Sequence, residues 1–183
     1  MTLDESDEPL VRGTLAGDAT AFESLVRRYR RAALARALSI VGNSFAAEDV
    51  AQDAFVQAYE QLATLREHAR FGAWLLMIVH RRSLNALRAE KRRRAVPLTD
   101  AIPDRTARAT DGSADPRASR ASILVAMRAL TEVQCTVVLL ADLEGWPHER
   151  IATTVGCSIA MSRRHLSDAR KRLRELLAQE VRR

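Results

Sequence analysis

The sequence predicts an all-α protein of two small helical domains joined by a flexible linker, and three observations carry that expectation. Apolar residues recur at intervals of three and four along most of the chain, with no alternating stretch long enough for a strand. From residue 95 to 114 that period dissolves into AVPLTDAIPDRTARATDGSA, whose two prolines, glycine and small polar residues are linker composition. A length of 183 residues at 47% hydrophobic content suffices for one ordinary core or two small ones. The expected boundaries are a first domain over 1–94, a linker over 95–114 and a second domain over 115–183.

The charge balance narrows the partners. A formal net charge of +6 raises the local concentration of polyanions, which points to nucleic acid first and a membrane surface second. Only Lys91 and Lys171 among the 29 basic residues are lysines; arginine grips phosphate in a bidentate fork, though a GC-rich coding bias produces the same skew. Cys135 and Cys157 stand alone, without CxxC spacing, and read as reduced packing residues rather than a disulfide or zinc site. The acidic start MTLDESDEP lacks the basic and then apolar runs of a secretory signal, and no apolar run reaches the roughly 18 residues of a membrane span. The expectation is a cytoplasmic protein without membrane insertion, metal or cofactor.

In order along the chain, a short helix is expected over Pro9 to Ala16, stopped by Gly17. Asp18 then caps a longer one, its carboxylate accepting from free first-turn amides. Phe22, Leu25, Val26, Tyr29, Ala33, Ala37 and Ile40 share one face of it, Arg27, Arg28, Arg30 and Arg31 read as a solvated face, and Gly42-Asn43 ends it. Ser44 begins the next helix, with Glu48 and Asp49 where the dipole favours negative charge. Val50, Ala54, Ala58 and Leu62 form its apolar stripe, widened by Ala51, Phe55 and Tyr59. Asp49, Gln52, Asp53 and Val56 are left on an exposed strip, which is either dipole complement and solvation or a docking surface for a basic partner.

A polar loop over Thr64 to Arg70 follows. Phe71, Trp74, Leu75, Ile78, Val79 and Leu87 then mark an inward-packing helix, with Trp74 read as core rather than a stacking platform. His80, Arg81, Arg82, Arg88, Lys91, Arg92, Arg93 and Arg94 accumulate along it, a denser block than capping needs, and phosphate contacts by such a block would be strongly salt-dependent.

Beyond the linker, Asp115-Pro116 restarts helix, since proline at the first helical position gives up an amide without a partner. Ile123, Leu124, Met127 and Leu130 give it a buried side. Thr131 with Gln134 fits a capping box for a helix carrying Val137, Val138, Leu140 and Ala141 and ending at Gly145. Trp146-Pro147 starts a short helix that ends near Val155-Gly156, and Ser158 caps a long basic helix reaching about Gln179. A short glycine turn leading into a basic helix is the helix-turn-helix arrangement, whose second helix enters the major groove. Ile159, Leu166, Ala169, Leu173 and Leu176 should pack inward; Ser158, Ala160, Met161, Arg163, Arg164, Ser167 and Arg170 face out or lie at the helix start, with Arg163 and Arg164 best placed for base or phosphate contact.

The segments GDATAFESLVRRY, AEDVAQDAFVQAYEQL, FGAWLLMIVHRRSLNALR and DLEGWPHERIATTVGCSIAMSRRHLSDARKRL, in this order, make the chain resemble bacterial RNA polymerase sigma factors of the extracytoplasmic-function (ECF) group from about Asp7 to Leu177. The resemblance implies a region 2-like bundle and a region 4-like helix-turn-helix. It implies that Glu48, Asp49, Gln52, Asp53 and Val56 dock on the clamp helices of the polymerase beta-prime subunit, and that Arg66, His68, Arg70, Met77, His80, Arg81 and Arg88 meet the −10 element. Ser158, Ala160, Met161, Arg163, Arg164, Ser167 and Arg170 would then read the −35 element. The implied partners are core RNA polymerase, through the clamp helices and the beta flap, promoter DNA, and an anti-sigma factor; no catalysis is implied. The chain departs from the family pattern at Thr131, Cys135, Ala160-Met161-Ser162 and Asp168, and at Arg81 and Asn85. Of these, Ser162 falls on a nominally buried face, where a hydroxyl is expected to loosen the recognition helix. A stand-alone helix-turn-helix regulator is the alternative reading, and a metal-dependent nuclease using Glu48, Asp49, Asp53 and His80 a remote third.

Overall fold

A computed structural model describes residues 6–95 and 122–180 of the chain, and the secondary structure of those residues is entirely helical. Helices α1 (Glu8–Leu15), α2 (Ala19–Val41), α3 (Ser44–Glu60) and α4 (Phe71–Ala95) make the first group. Two short 3-10 turns, Leu62–Thr64 and His68–Arg70, connect α3 to α4. The second group holds a helical stretch over 122–126 (α5), then α6 (Glu132–Val138), α7 (His148–Val155) and α8 (Ile159–Glu180). The expected linker and the expected restart at Asp115-Pro116 lie outside the described residues.

Local chemistry sets most of the helix ends. The Asp18 carboxylate accepts from the Thr20 hydroxyl and from the amides of Thr20 and Ala21, and these bonds, the hydroxyl's foremost, hold it below the usual carboxylate range. Asn43 accepts from the Ala46 amide at the start of α3. Thr131 and Gln134 close the reciprocal capping box at α6, and Ser158 accepts from the Met161 amide at α8. One feature lies beyond the helical period: α6 continues as a π-helical turn over Leu139–Leu143 before Gly145 ends it at a φ of 70°.

Packing joins the two groups through one hydrophobic cluster. Leu25, Tyr29, Phe71 and Leu75 of the first group share it with Val137, Leu140 and Ile151 of the second. Tyr29 is at the centre, its ring 5.6 Å from Phe71 and 5.4 Å, edge-on, from Trp146. Aromatic pairs at such spacing add about 0.5–1.5 kcal/mol beyond their buried area. Helix α4 can approach this ring only because residue 72 is glycine; a Cβ there would fall on the Tyr29 ring.

Several side chains sit differently from the sequence expectation. Arg28 is not on a solvated face: it bonds the buried Asp7 carboxylate at 2.6 Å, and the Tyr29 hydroxyl donates to the same group. Burial foremost raises the Asp7 pKa, against the lowering influence of those two partners. Arg31 reaches Glu144 at 3.7 Å. Tyr59 and Ile159, expected inside, are 54% and 39% exposed. Tyr59 lies edge-on to Phe22 at a centroid distance of 5.0 Å instead of entering the core.

Candidate functional site

The acidic strip of α3 forms because its apolar residues turn to α2 and α4. Ala47, Val50, Ala51, Ala54, Phe55 and Ala58 are buried, which leaves Glu48, Asp49, Gln52, Asp53 and Val56 exposed on the opposite side. Arg82 of α4 anchors the strip's edge, bonding Asp53 at 3.1 Å and Gln57 at 2.8 Å. Beside the strip runs a groove of about 490 Å³ whose walls include Phe22, Val26, Phe55, Val56 and Tyr59, with Glu48 and Gln52 on its rim. Val56 is 51% exposed and Phe45 78%, so the surface offers carboxylates and apolar anchors together. Such a mixture suits a basic amphipathic protein partner. Tyr59 and Phe22 were not among the expected contact residues. Their helical spacing reads as core, and only the packed structure leaves them open.

The residues expected to meet −10 DNA divide in two. Arg66, Arg70, Met77 and His80 line one cleft of about 420 Å³, together with the half-buried Trp74. Trp74 therefore belongs partly to the core, 6.0 Å from Phe71 by ring centroids, and partly to the cleft wall. His68 is half-buried on its 3-10 turn, and Arg81 and Arg88 are exposed farther along α4; none of the three lines the cleft. The opposite wall carries Glu132, Thr136 and Val155 of the second group.

The helix-turn-helix is formed by α7, the turn at Gly156 and α8. Gly156 adopts a φ of 79°, a left-handed conformation that costs a residue with a Cβ about 1–2 kcal/mol. On α8, Ser158, Ala160, Met161, Arg163, Arg164, Ser167 and Arg170 are all exposed. Arg163 and Arg164 hold only long, solvated ion pairs, to Glu149 at 3.9 Å and Asp168 at 3.8 Å, so both are readily diverted to phosphate or a base edge. Arg170 is more committed, gripping both carboxylate oxygens of Asp142. Ser162 does not loosen the helix: it is fully buried, and its hydroxyl lies 2.9 Å from Nδ1 of His148 on α7.

The carboxylates and imidazole of the nuclease reading do not converge. Glu48, Asp49 and Asp53 lie along the exposed strip, whereas His80 lies in the cleft against Arg36 and Glu132. Among the described residues there is no group of three or more His, Cys, Asp or Glu that could hold a metal ion, and no helix long and apolar enough to cross a membrane.

Comparison with known proteins agrees with this geometry. Residues 25–93 match the family model described as Sigma-70 region 2, and residues 120–173 that of Sigma-70, region 4. The chain is 32% identical to the ECF RNA polymerase sigma factor SigM of Mycobacterium tuberculosis, over 95% of its own length and 86% of that protein. It is 29% identical to the RNA polymerase sigma-H factor of Pseudomonas aeruginosa over 97% and 96% of the two chains. Among solved structures it is similar to CnrH in complex with the cytosolic domain of CnrY, with a TM-score of 0.57, 25% identity and coverage of 96% and 99%.

Proposed function

We propose, from the premise that this chain belongs to the ECF group of RNA polymerase sigma factors, that its exposed surfaces divide the work of such a factor between them. The chain is a transcription initiation factor that binds core RNA polymerase and directs it to promoters; it is not a stand-alone regulator. What carries the reading is the order of the two family segments on one chain, the first bearing the exposed acidic strip and the second an exposed basic recognition helix.

Glu48, Asp49, Gln52, Asp53 and Val56 then form the face for the beta-prime clamp helices. Arg66, His68, Arg70, Met77, His80, Arg81 and Arg88 serve the −10 element, and the exposed side of α8 reads the −35 element. The beta flap contacts the second domain. We draw the domain division at the residues read as linker, 95–114. An unstacked −10 base held by the first domain would offset part of the cost of opening the duplex, which lets binding energy drive melting without chemistry by the factor. The work is that of a cytoplasmic protein without enzymatic activity. CnrH, to which the chain is similar, is known in complex with the cytosolic domain of CnrY; an anti-sigma factor is accordingly a proposed partner here.

Reconstitution tests the reading. Purified chain added to core polymerase should give promoter-dependent transcripts from the host genome, mapped by their start sites. Lack of association with core enzyme would remove it, and sequence-specific binding to duplex DNA without polymerase would restore the stand-alone reading.

A further inference from the structure

Ser162 lies in the first turn of the recognition helix, on a face where the family pattern is apolar, and it is fully buried. Its hydroxyl is 2.9 Å from Nδ1 of His148 and has no other hydrogen-bond partner among the described residues. A buried O–H needs an acceptor, and Nδ1 is the one within reach, so the serine donates and the imidazole accepts. Exposed neighbours stand on either side of the serine, Met161 before it and Arg163 and Arg164 after it.

The imidazole is itself well placed to serve as a fixed point. Helix α7 is seated by the buried Ile151 and Ala152, and Trp146, two residues before His148, carries the Arg150 guanidinium 3.4 Å from its ring centroid. Two other ties run from this side to α8: Glu149 reaches Arg163 at 3.9 Å, and Asp142 meets Arg170 with both carboxylate oxygens. All four of those side chains are exposed, so water and phosphate compete for them. The serine–imidazole bond ends in the core instead, where a hydrogen bond is stronger and its angle is enforced. An apolar residue at 162 would pack without any such angle and leave the helix free to roll. Buried polar contacts of this kind select one register of two packed helices at some expense in stability.

We propose that His148 and Ser162 are a positioning pair for −35 recognition: their bond fixes the roll of α8 on α7 and thereby aims Arg163 and Arg164. Arg163 directly follows Ser162, so any roll at the serine passes undiminished to the arginine. Bidentate reading of a guanine needs both arms of the fork aligned, and a recognition constellation tolerates only about 10–20° of rotation. His148 also lines the groove that holds Arg163 and Ser167, which puts the fixed point beside the residues it aims. The pair therefore governs discrimination between −35 sequences and adds little to affinity for DNA at large. This rests on the assignment of the exposed side of α8 to the −35 element.

Holoenzyme assembled from core polymerase and the full chain or its variants tests the pair. Binding is measured to a promoter mapped by the reconstitution and to the same duplex with its −35 element scrambled; the ratio of the two dissociation constants is the discrimination. His148→Leu with Ser162→Val replaces the polar pair by an apolar one and leaves no buried group unpaired. Its melting temperature is expected at or above that of the wild type. Discrimination should nevertheless fall about tenfold, the size of one weakened bidentate contact, with binding to the scrambled duplex unchanged. His148→Leu alone should lose as much as the double variant, since the two changes break one bond. His148→Asn, whose side-chain oxygen reaches close to the place of Nδ1, should keep most of the discrimination. A double variant that discriminates like the wild type overturns the proposal. So does an equal loss on both duplexes, or a loss in His148→Asn as large as in His148→Leu, either of which marks a purely structural role. Arg163→Ala with Arg164→Ala checks the underlying reading: undiminished discrimination there removes the −35 assignment and the proposal with it. Lost discrimination in that arginine variant beside an unaffected double variant removes the proposal alone.

Discussion

Nδ1 of His148 lies 2.9 Å from the Ser162 hydroxyl, which ties the first helix of the helix-turn-helix to its recognition helix through a half-buried imidazole and a fully buried serine. Ser162→Ala removes one partner and leaves a ring nitrogen without its bond. The expected loss is about 1 kcal/mol of unfolding free energy in urea titrations. An unchanged midpoint would mean that the pair contributes nothing net.

The acidic strip can be tested with little risk to the fold, because Asp49 and Asp53 are exposed and surface changes usually stay within about 0.5 kcal/mol. Asp49→Arg with Asp53→Arg should weaken core polymerase affinity at least about a hundredfold, roughly 1.4 kcal/mol for each reversed charge. A fluorescence-anisotropy titration against core enzyme measures it.

On the recognition helix, Arg163→Ala and Arg164→Ala should each cost about 1–3 kcal/mol at the cognate −35 element in the assembled holoenzyme. Lys171, exposed farther along α8, is placed to meet the phosphate backbone and no base edge, so Lys171→Ala should instead weaken all duplexes alike and lower the salt slope by about one. Titrations at several salt concentrations separate the two kinds of loss.

Asp7 gives a pH prediction. Burial foremost raises its pKa in the folded protein, so the folded state holds this proton more tightly than the unfolded chain does. Its contribution to stability is full below the ordinary carboxylate pKa and is lost as pH rises through the raised one. Urea titrations across that window should show the wild type losing stability relative to Asp7→Asn, with a slope of at most about 1.4 kcal/mol per pH unit. Tyr29→Phe withdraws a bond that lowers the pKa and should widen the window. A wild type that instead gains on Asp7→Asn with rising pH would contradict the assignment.

Gly156→Ala should cost about 1–2 kcal/mol from its left-handed backbone alone, and more because the new methyl group displaces Arg70. Gly145 also has a positive φ but open space around it. Gly145→Ala should therefore show the backbone cost without the displacement, and comparing the two melting temperatures isolates the Arg70 contact.

Helix ends and exposed strips were legible in the sequence because their causes are local. Asp18, Thr131 with Gln134, and Ser158 cap helices through bonds two or three residues away, and the α3 strip follows from helical spacing. What escaped depends on partners far along the chain. Arg28 reads as surface until Asp7, 21 residues away, accepts its bond. Arg36 is buried because His80, 44 residues on, supplies an acceptor. Tyr59 has core spacing, yet it meets Phe22 edge-on and stays 54% exposed. The cleft was the least readable feature, since its walls come from opposite sides of the segment read as linker.

Arg128 sits six residues beyond 122, the first residue described after that segment, and its guanidinium holds the end of α2. Traction on the chain from this side loads Arg128 before it reaches Trp146 or the Gly156 turn. The halves would then peel, one contact yielding after another, instead of shearing all at once.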